Sequence, residues 1–291
     1  MERRSRPEFY TILSKKGDNM VKKMDIQLEG VPQTLLLPLL GRAMFSKKSF
    51  SPLQDDLAVQ LLERINYDFD MMLQHFGKVA LIWMARAYHF DEAIKKYLQT
   101  HPEGTIVNLG AGLDTTFYRL KYPKLTWIDL DLPEVMSLRE KLLPHSKQVI
   151  SISKSILDYS WMDDIKTYDD EFFFFAGGLF IYFSEADVKA LFLEMIKRFP
   201  KSELIFDSIS KKSMNHANKV LSDAQMAGAI MYWGIDDITL LEQWSPHLKV
   251  VNQHPYFKGI KMRKGFPLKL RLTMFLYDWG DQSVVAHVRF N

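Results

Sequence analysis

The stretch TIVNLGAGLDTTFYRL (residues 105–120) joins a short apolar run to Gly110-Ala111-Gly112 and then to a helical pattern. A strand that breaks at glycines and continues as a helix leaves bare backbone on which a nucleotide-like ligand can lie. Two glycines at such a place also occur as ordinary turn chemistry. The stretch therefore favours a cofactor-using enzyme with an α/β fold, with a plain turn as the alternative.

The glycine spacing narrows the choice of ligand. A dinucleotide-binding fingerprint reads G-x-G-x-x-G and places a pyrophosphate at the helix N-terminus. Gly110 and Gly112 are present here, but Thr115 occupies the third glycine position. This pattern favours a ligand without a pyrophosphate, such as S-adenosylmethionine. A nucleotide-dependent oxidoreductase is the competing enzyme class.

The rest of the chain predicts a mainly parallel sheet. Continuous apolar runs separated by amphipathic helical patterns, such as residues 185–199, are typical of strands buried on both faces. The four phenylalanines at 172–175 are accordingly interpreted as core, not as a substrate platform. The predicted strands are residues 106–109, 125–130, 148–152, 172–176 and 204–207, with 248–251 and 270–277 at one sheet edge.

The first hundred residues predict helices. Ser51-Pro52-Leu53-Gln54 resembles a capping box and predicts the start of a helix with Leu57, Leu61 and Ile65 on its apolar face. A second helix is predicted from near Lys78 to before Pro102. We expect one domain over residues 1–291, with an N-terminal helical part at 1–100 and a helical cap at 211–243.

Composition excludes several classes of mechanism. With 291 residues, 47% hydrophobic and 25% charged, the chain has the profile of a globular protein. It contains no cysteine, which removes disulfides, thiolate nucleophiles and cysteine-based zinc sites, and no metal is expected. The net charge of +3 is spread along the chain and indicates no nucleic-acid partner. No window approaches the roughly 18 apolar residues of a membrane helix, so we expect a cytoplasmic protein without a membrane partner.

Two aspartates follow the glycines at the distance expected of a ribose-binding group. Asp131 lies 131 − 110 = 21 positions after Gly110, at the end of the predicted second strand. A carboxylate there can accept hydrogen bonds from both ribose hydroxyls. Strand alternation points Asp129 to the same side. The alternative is that one aspartate caps the helix beginning at Pro133.

Arg86 interrupts an apolar seam. Val79, Ile82, Arg86, Phe90, Ala93 and Tyr97 follow helical steps of three and four. An arginine on such a seam keeps its charge and is costly to bury without an anion. Its expected partner is a carboxylate, from a structural Asp or Glu or from a bound ligand. The alternative is that its head group reaches solvent.

Several segments together resemble the leucine carboxyl methyltransferase family. They are VNLGAGLDTTFYRL (107–120), IDLDLPEV (128–135), AGGLFIYFSEADVK (176–189) and MARAYHFD (84–91). GVPQTLLLPLLGRA (30–43) and ELIFDSIS (203–210) resemble its TcmP-like polyketide O-methyltransferase branch. The resemblance implies a Rossmann-like class I methyltransferase fold with S-adenosylmethionine as cofactor.

The resemblance also implies roles for individual residues. Arg86 matches the arginine that binds the methionine carboxylate, and Asp131 matches the ribose-binding aspartate. The remaining cofactor-binding matches are Gly110 and Gly112 in the glycine turn, Ser155 and Ile156 at the adenine, Gly177 close to the cofactor, and Arg42 near the methyl donor. The protein leucine methyltransferases have an aspartate where this chain has Ser155, and Asp158 is a substitute candidate. Tyr182 keeps its family position and is a candidate pocket residue.

One departure from the family pattern bears on the acceptor. Where protein-modifying members have the stretch AEG, this chain reads Ala176-Gly177-Gly178. The loss of that glutamate favours a small-molecule acceptor over a protein C-terminus. Two readings remain beside it, a protein C-terminus and a non-catalytic S-adenosylmethionine-binding protein.

The expected reaction is direct in-line methyl transfer by positioning, so no catalytic residue is assigned, and Tyr182 is the one candidate for such a role. A carboxylate acceptor, with a reference pKa of about 4, needs no base, whereas a phenol or alcohol would profit from one, such as histidine. No histidine among His89, His216, His254 and the other five is singled out by the sequence.

Overall fold

The computed structural model describes residues 23–26, 34–77, 79–224, 227–260, 265–280 and 283–291. Two short strands, β1 (Met24–Asp25) and β2 (Ile65–Asn66), pair with each other outside the main sheet. The main sheet has seven strands. They are β3 (Thr105–Leu109), β4 (Thr126–Asp131), β5 (Val149–Ser153), β6 (Phe172–Ala176), β7 (Glu203–Ser208), β8 (Leu248–Pro255) and β9 (Val284–Phe290).

The order of the strands is β5-β4-β3-β6-β7-β9-β8. Strands β3 to β7 run parallel to one another, and β9 runs antiparallel to both β7 and β8. The chain builds outward from β3 in one direction and returns at β6 to build in the other. Crevices at such a reversal, at the carboxyl ends of the strands, are where open α/β sheets bind ligands.

Ten α-helices surround the sheet. They are α1 (Leu36–Ser46), α2 (Asp56–Arg64), α3 (Phe69–Phe76), α4 (Ala80–Thr100), α5 (Thr116–Leu120), α6 (Pro133–Leu142), α7 (Ser160–Ile165), α8 (Glu185–Arg198), α9 (Lys211–Asp223) and α10 (Leu268–Gly280), as far as the chain is described. The predicted α/β fold with a mainly parallel sheet is confirmed. The extent of the single domain and of the helical cap stays a prediction.

Strand β6, with its four phenylalanines, shows how the sheet is buried on both faces. Phe172 and Phe174 belong to one hydrophobic cluster, together with residues of α7 and α8. Phe173 and Phe175 belong to the other, which holds the helices before β3. Because alternate side chains of a strand point to opposite faces, a run of four apolar residues packs against both helical layers. Their interpretation as core is confirmed.

One predicted edge strand is wrong. Residues 270–277, expected as a strand, lie within the helix α10, and the sheet is completed instead by β9, which was not predicted. The sequence LKLRL alternates apolar and basic residues and thus mimics a strand. The inner positions Leu270, Met274 and Tyr277 follow a helical spacing and pack on the hydrophobic core.

The predicted capping box is also displaced. Ser51 closes a local turn, in which its hydroxyl donates to the Leu53 carbonyl and accepts from the Leu53 N–H. Helix α2 begins at Asp56, and its N-cap is Asp55, four residues after Ser51, which accepts from the Ala58 N–H at 3.0 Å. Lys78, the predicted start of the next helix, lies outside the described residues, and α4 begins at Ala80.

Across the described part of the chain, no helix combines the length and the hydropathy needed to cross a membrane.

Candidate active site

A cavity of about 610 Å³ opens at the carboxyl ends of the parallel strands. Its volume is in the range of small-molecule and cofactor pockets. The strand ends contribute polar groups and bare backbone, namely Asn108, Gly110, Gly112, Asp131, Gly177 and Asp207. Helices α3, α4, α9 and α10 contribute mostly apolar side chains. The cavity thus combines a polar cradle with apolar walls.

The glycine turn after β3 needs glycine at both positions. Gly110 has a φ of 66° and Gly112 a φ of 46°, a conformation that strains other residues. A Cβ at Gly110 would lie 2.7 Å from Leu179 Cδ1, whereas a Cβ at Gly112 would first meet Leu35 at 3.5 Å. The backbone of the turn therefore lies bare against the cavity.

Asp131 lies beside this turn, at the end of β4. Its Oδ2 accepts from the Gly112 N–H at 2.7 Å, and its Oδ1 accepts from the Leu132 N–H at 2.7 Å. Burial raises the pKa of Asp131, while the two backbone donors oppose that rise. Each carboxylate oxygen accepts further hydrogen bonds through its remaining lone pair. The side chain is held rigidly at the cavity wall.

Asp129, two residues earlier, has a structural role. It forms a buried ion pair with Arg139 and accepts from Asn108 Nδ2 and Trp127 Nε1, each at 2.9 Å. Arg139 in turn donates to carbonyls of the glycine turn, including that of Gly112 at 2.8 Å. Neither aspartate caps helix α6, whose N-cap Leu132 has no side-chain hydrogen bond. Of the two carboxylates, Asp131 borders the cavity.

Arg86 meets its carboxylate partner at the end of β7. Its Nη1 donates to Asp207 Oδ2 at 2.9 Å, and both side chains are nearly buried. Asp207 also accepts from the Tyr256 hydroxyl at 2.8 Å and from the Gly178 N–H at 2.5 Å. Burial lowers the pKa of Arg86, but the negative charge of Asp207, the hydrogen bond to it and the nearby Tyr256 and Tyr182 together raise the pKa above its usual value. The expected structural carboxylate is therefore present, and Arg86 still borders the cavity.

Asp207 and Tyr256 were missed in the sequence. Asp207 ends the apolar run LIFD as Asp131 ends WIDLD, so the same signal, a carboxylate at a strand end, could have found it. Tyr256 lies in the loop after β8, and nothing in the sequence links it to the glycine turn. The hydroxyl of the neighbouring Ser208 is buried and has no hydrogen-bond partner among the described residues.

The absence of a side chain after β6 makes room for Arg86. A Cβ at Gly177 would lie 3.2 Å from Phe90 Cε2 and 3.4 Å from Arg86 Nε, and one at Gly178 only 2.7 Å from Arg86 Nη1. Gly178 also has a φ of 66°. A glutamate at position 177, as in the AEG stretch, would have to share this space with the guanidinium.

We expect Gly178→Ala to lose about 1 to 2 kcal/mol more stability than Gly259→Ala, measured by urea unfolding. Gly259 is the matched control, because its φ is 77° but no atom of the described residues lies within 4 Å of an added Cβ. Both variants carry the backbone strain, and only the first displaces Arg86. Equal losses in the two variants would contradict this explanation of the glycine.

Arg42 is buried under the glycine turn. Its Nε donates to Asp55 Oδ2 at 2.9 Å and its Nη2 to the Leu113 carbonyl at 2.6 Å. Asp55 Oδ2 also accepts from Arg119 Nη1 at 2.8 Å and from the Thr115 hydroxyl at 2.6 Å. This network ties helices α1 and α2 to the segment after the glycines, so Arg42 supports the floor of the cavity as well as bordering it.

Ser155 and Ile156 lie apart from this group. Neither residue is among those that line the cavity. Ile156 packs in the hydrophobic cluster that also contains Phe172 and Phe174. The hydroxyl of Ser155 accepts from the Leu157 N–H, and Asp158 accepts from the Ser160 N–H. The adenine role of these residues stays a prediction.

Tyr182 does border the cavity. Its hydroxyl donates to Thr34 Oγ1 at 3.1 Å. Burial raises the pKa of Tyr182, although Thr34 and the positive charge of Arg86 oppose this. The phenol is therefore protonated at neutral pH and acts as a hydrogen-bond donor, not as a base.

Two histidines border the cavity, and two others lie outside its lining. His75 and His216 border the cavity from α3 and α9. His89 Nε2 lies 2.8 Å from the Tyr256 carbonyl, and the His89 and His254 rings are 4.3 Å apart, outside the cavity lining. The structure thus distinguishes two histidines that the sequence did not.

Comparisons with known proteins agree with this architecture. The family model described as leucine carboxyl methyltransferase matches residues 36–196, more than half of the chain. The tetracenomycin polyketide synthesis O-methyltransferase TcmP of Streptomyces glaucescens is 31% identical over 78% of this chain and 84% of its own length. The S-adenosyl-L-methionine-dependent methyltransferase dpfgK of Gibberella zeae is 27% identical over 78% of this chain and 83% of its own.

A solved structure from Thermobifida fusca, described as a candidate methyltransferase, has the same fold. It superposes with a TM-score of 0.58 at 12% identity and covers 90% of this chain and 95% of its own. The family match replaces the nucleotide-dependent oxidoreductase alternative. The chain belongs to the leucine carboxyl methyltransferase family and is an S-adenosylmethionine-dependent methyltransferase.

Proposed function

We propose that the protein methylates a carboxyl or hydroxyl oxygen of a small, aromatic or polyketide-like molecule. The observation that carries this proposal is that the strand-end cradle and the apolar helix walls line one and the same cavity. Its apolar walls include Phe76, Ile82, Trp83, Val220, Met231 and Tyr277. The relative from Streptomyces glaucescens, named as a polyketide O-methyltransferase, supports the same class of acceptor.

The cradle fits the methyl donor. Bare backbone at Gly110 and Gly112 borders the cavity, where a flat ligand can lie against it, and Asp131 offers acceptors for ribose hydroxyls. A guanidinium carries five N–H groups. Among the described residues, Arg86 donates one of them, to Asp207. We assign the donor's carboxylate to the remaining N–H groups of Arg86. Bound S-adenosylmethionine supplies an electrophilic methyl group on a sulfonium.

The protein's own contribution is then positioning. Apolar side chains around the cavity exclude water and hold the acceptor, which lowers the entropic cost of the encounter. A carboxylate acceptor is ionised at neutral pH and needs no base. For a phenolic acceptor, His75 and His216 are the imidazoles that border the cavity, since Tyr182 is held protonated.

The test measures S-adenosylhomocysteine formation with matched pairs of acceptors. Each pair presents the same ring system once as an aromatic carboxylic acid and once as a phenol, and a peptide ending in a leucine carboxylate represents the protein acceptor. Turnover of either aromatic series above the peptide supports the proposal. Turnover of the peptide alone contradicts it, and donor binding without turnover across the panel favours the non-catalytic alternative.

A further inference from the structure

One side of helix α9 faces the cavity. The residues of α9 that border the cavity recur at spacings of three and four along the helix: Ser213, His216, Ala217, Val220 and Leu221. The side chain of His216 is exposed. Among the described residues, its ring has no hydrogen-bond or ion-pair partner. The imidazole is therefore accessible to a ligand in the cavity.

Helix α9 is attached at two places to the rest of the cavity wall. Only residues 209–210 separate its first turn from the end of β7, which carries Asp207. In its second half, Asn218 Nδ2 donates to the Met231 carbonyl at 2.9 Å, and the Met231 N–H donates to Asn218 Oδ1 at 2.8 Å. His216 lies between these two attachments. A side chain on a helix that is fixed in this way keeps a defined position, as a catalytic group requires.

The carboxylates at the cavity wall are already used by the protein itself. Asp131 accepts from two backbone N–H groups, and Asp207 is paired with Arg86. Asp114 accepts from the N–H group and the hydroxyl of Thr116, at 2.8 and 3.1 Å. These three carboxylates therefore hold the cavity wall in shape, and we assign none of them the role of a base.

Tyrosines and histidines also border the cavity. Burial raises the pKa of Tyr182 and of Tyr256, so both phenols stay protonated at neutral pH. Histidine exchanges a proton near neutral pH and is the side chain most often used as a base. His75 and Phe76, with which α3 borders the cavity, are the last two residues of that helix, whereas His216 has cavity-lining residues on both sides of it along α9. His216 is thus the imidazole that lies within the wall.

This wall fits a neutral hydroxyl better than a carboxylate. Among the residues that the structure describes, no lysine borders the cavity, and the two arginines there, Arg42 and Arg86, already have carboxylate partners. A carboxylate held against apolar walls without a cation loses its hydration uncompensated. The sulfonium of the donor attracts an ionised phenol as well as a carboxylate and does not select between them. A neutral phenol enters without that cost and needs a base only where it reacts.

We infer that the acceptor is a phenol and that His216 is the catalytic base that takes its proton. The inference rests on the proposed methylation of oxygen. A ring nitrogen of His216 accepts the hydroxyl proton while the phenolic oxygen forms its bond to the methyl carbon. The bond between that carbon and sulfur breaks, and its electron pair stays on sulfur. The products are the aryl methyl ether and neutral S-adenosylhomocysteine, and the proton passes from His216 to solvent.

The test compares wild type and His216→Gln on a plain phenol and on the same phenol with a nitro group, which ionises without help near neutral pH. We expect turnover of the plain phenol to fall by about 100-fold or more, and turnover of the nitrophenol by less than about tenfold. A merely structural role of His216 would lower both alike. His145→Gln is the matched control, because His145 is exposed and is not among the residues that line the cavity.

Unchanged affinity of His216→Gln for S-adenosylhomocysteine in calorimetry would show that the fold and the donor site are intact. Equal losses on the two phenols, or a larger loss in His75→Gln than in His216→Gln, would overturn the assignment of the base. A wild type that prefers the matched carboxylic acid to the phenol would overturn the acceptor class and leave the proposed methylation of oxygen standing. Absence of turnover with every aromatic acceptor would overturn the proposed function, and this inference with it.

Discussion

Replacing Asp55 with alanine is expected to lower the free energy of unfolding by about 3 to 5 kcal/mol. Asp55 is only 1% exposed and receives hydrogen bonds from Arg42, Arg119 and the Thr115 hydroxyl on a single oxygen. Its removal takes the paired carboxylate from buried Arg42 and leaves Arg119 with Asp91, and it also removes the N-cap of α2. Urea unfolding followed by circular dichroism measures the loss.

The control for this variant is Asp56→Ala. Asp56 is the next residue, lies exposed in the first turn of α2, and interacts with the helix dipole. Its replacement should cost less than about 1 kcal/mol. A loss at Asp55 as small as the loss at Asp56 would show that the network around Arg42 and Arg119 does not hold α1 and α2 to the segment after the glycines.

The same network makes the contribution of Asp55 depend on pH. Burial alone would raise the pKa of Asp55, but Arg119 and Arg42 outweigh it and hold the pKa at about 2. Because this is below the value of about 3.9 in the unfolded chain, the stabilisation is complete above pH ~4 and disappears as the pH falls through about 2. The difference in stability between wild type and Asp55→Ala should therefore narrow in acid.

The parallel core of the fold could be predicted because its residues carry a local signal. Strands such as β6 are buried on both faces and stand out as continuous apolar runs between helices. Strand β9, which lies between β7 and β8, lacks that signal, since His287 and Arg289 within it pair with Glu203 on the neighbouring strand β7. Helix α10 was misassigned because alternation in its sequence resembles a strand, and only its packing on the core decides the matter.

The site residues that could be predicted are those whose role is indicated by the local sequence around them. Glycines in a strand-to-helix turn, an aspartate at a strand end and an arginine on an apolar seam are visible in sequence, and the structure brings Gly110, Asp131 and Arg86 to one cavity. The contact between Arg86 and Asp207 could not be predicted in this way, because the two residues are 121 positions apart and are brought together only by the strand order β3-β6-β7. The spacing of residues in the sequence does not indicate that contact.

Asp131→Ala is expected to weaken binding of S-adenosylmethionine or S-adenosylhomocysteine by at least about 1.5 kcal/mol, or more than tenfold in Kd. The variant removes acceptors for the ribose and also frees the Gly112 N–H that holds the turn. Titration calorimetry with S-adenosylhomocysteine measures the change. Glu134→Ala, which removes an exposed carboxylate three residues later, should leave the affinity unchanged. Equal affinities in the Asp131 and Glu134 variants would argue against the assigned site.

Arg86→Ala should weaken donor binding by a similar amount, but this variant alone cannot separate a ligand contact from the loss of the ion pair with Asp207. Asp207→Asn makes the separation, because it removes the negative charge that competes for the guanidinium while keeping a side chain of the same size. If Arg86 binds the donor carboxylate, Asp207→Asn loses stability and keeps its affinity for S-adenosylhomocysteine, whereas Arg86→Ala loses both. Parallel losses of affinity in the two variants would instead mean that the pair acts only by shaping the wall of the cavity.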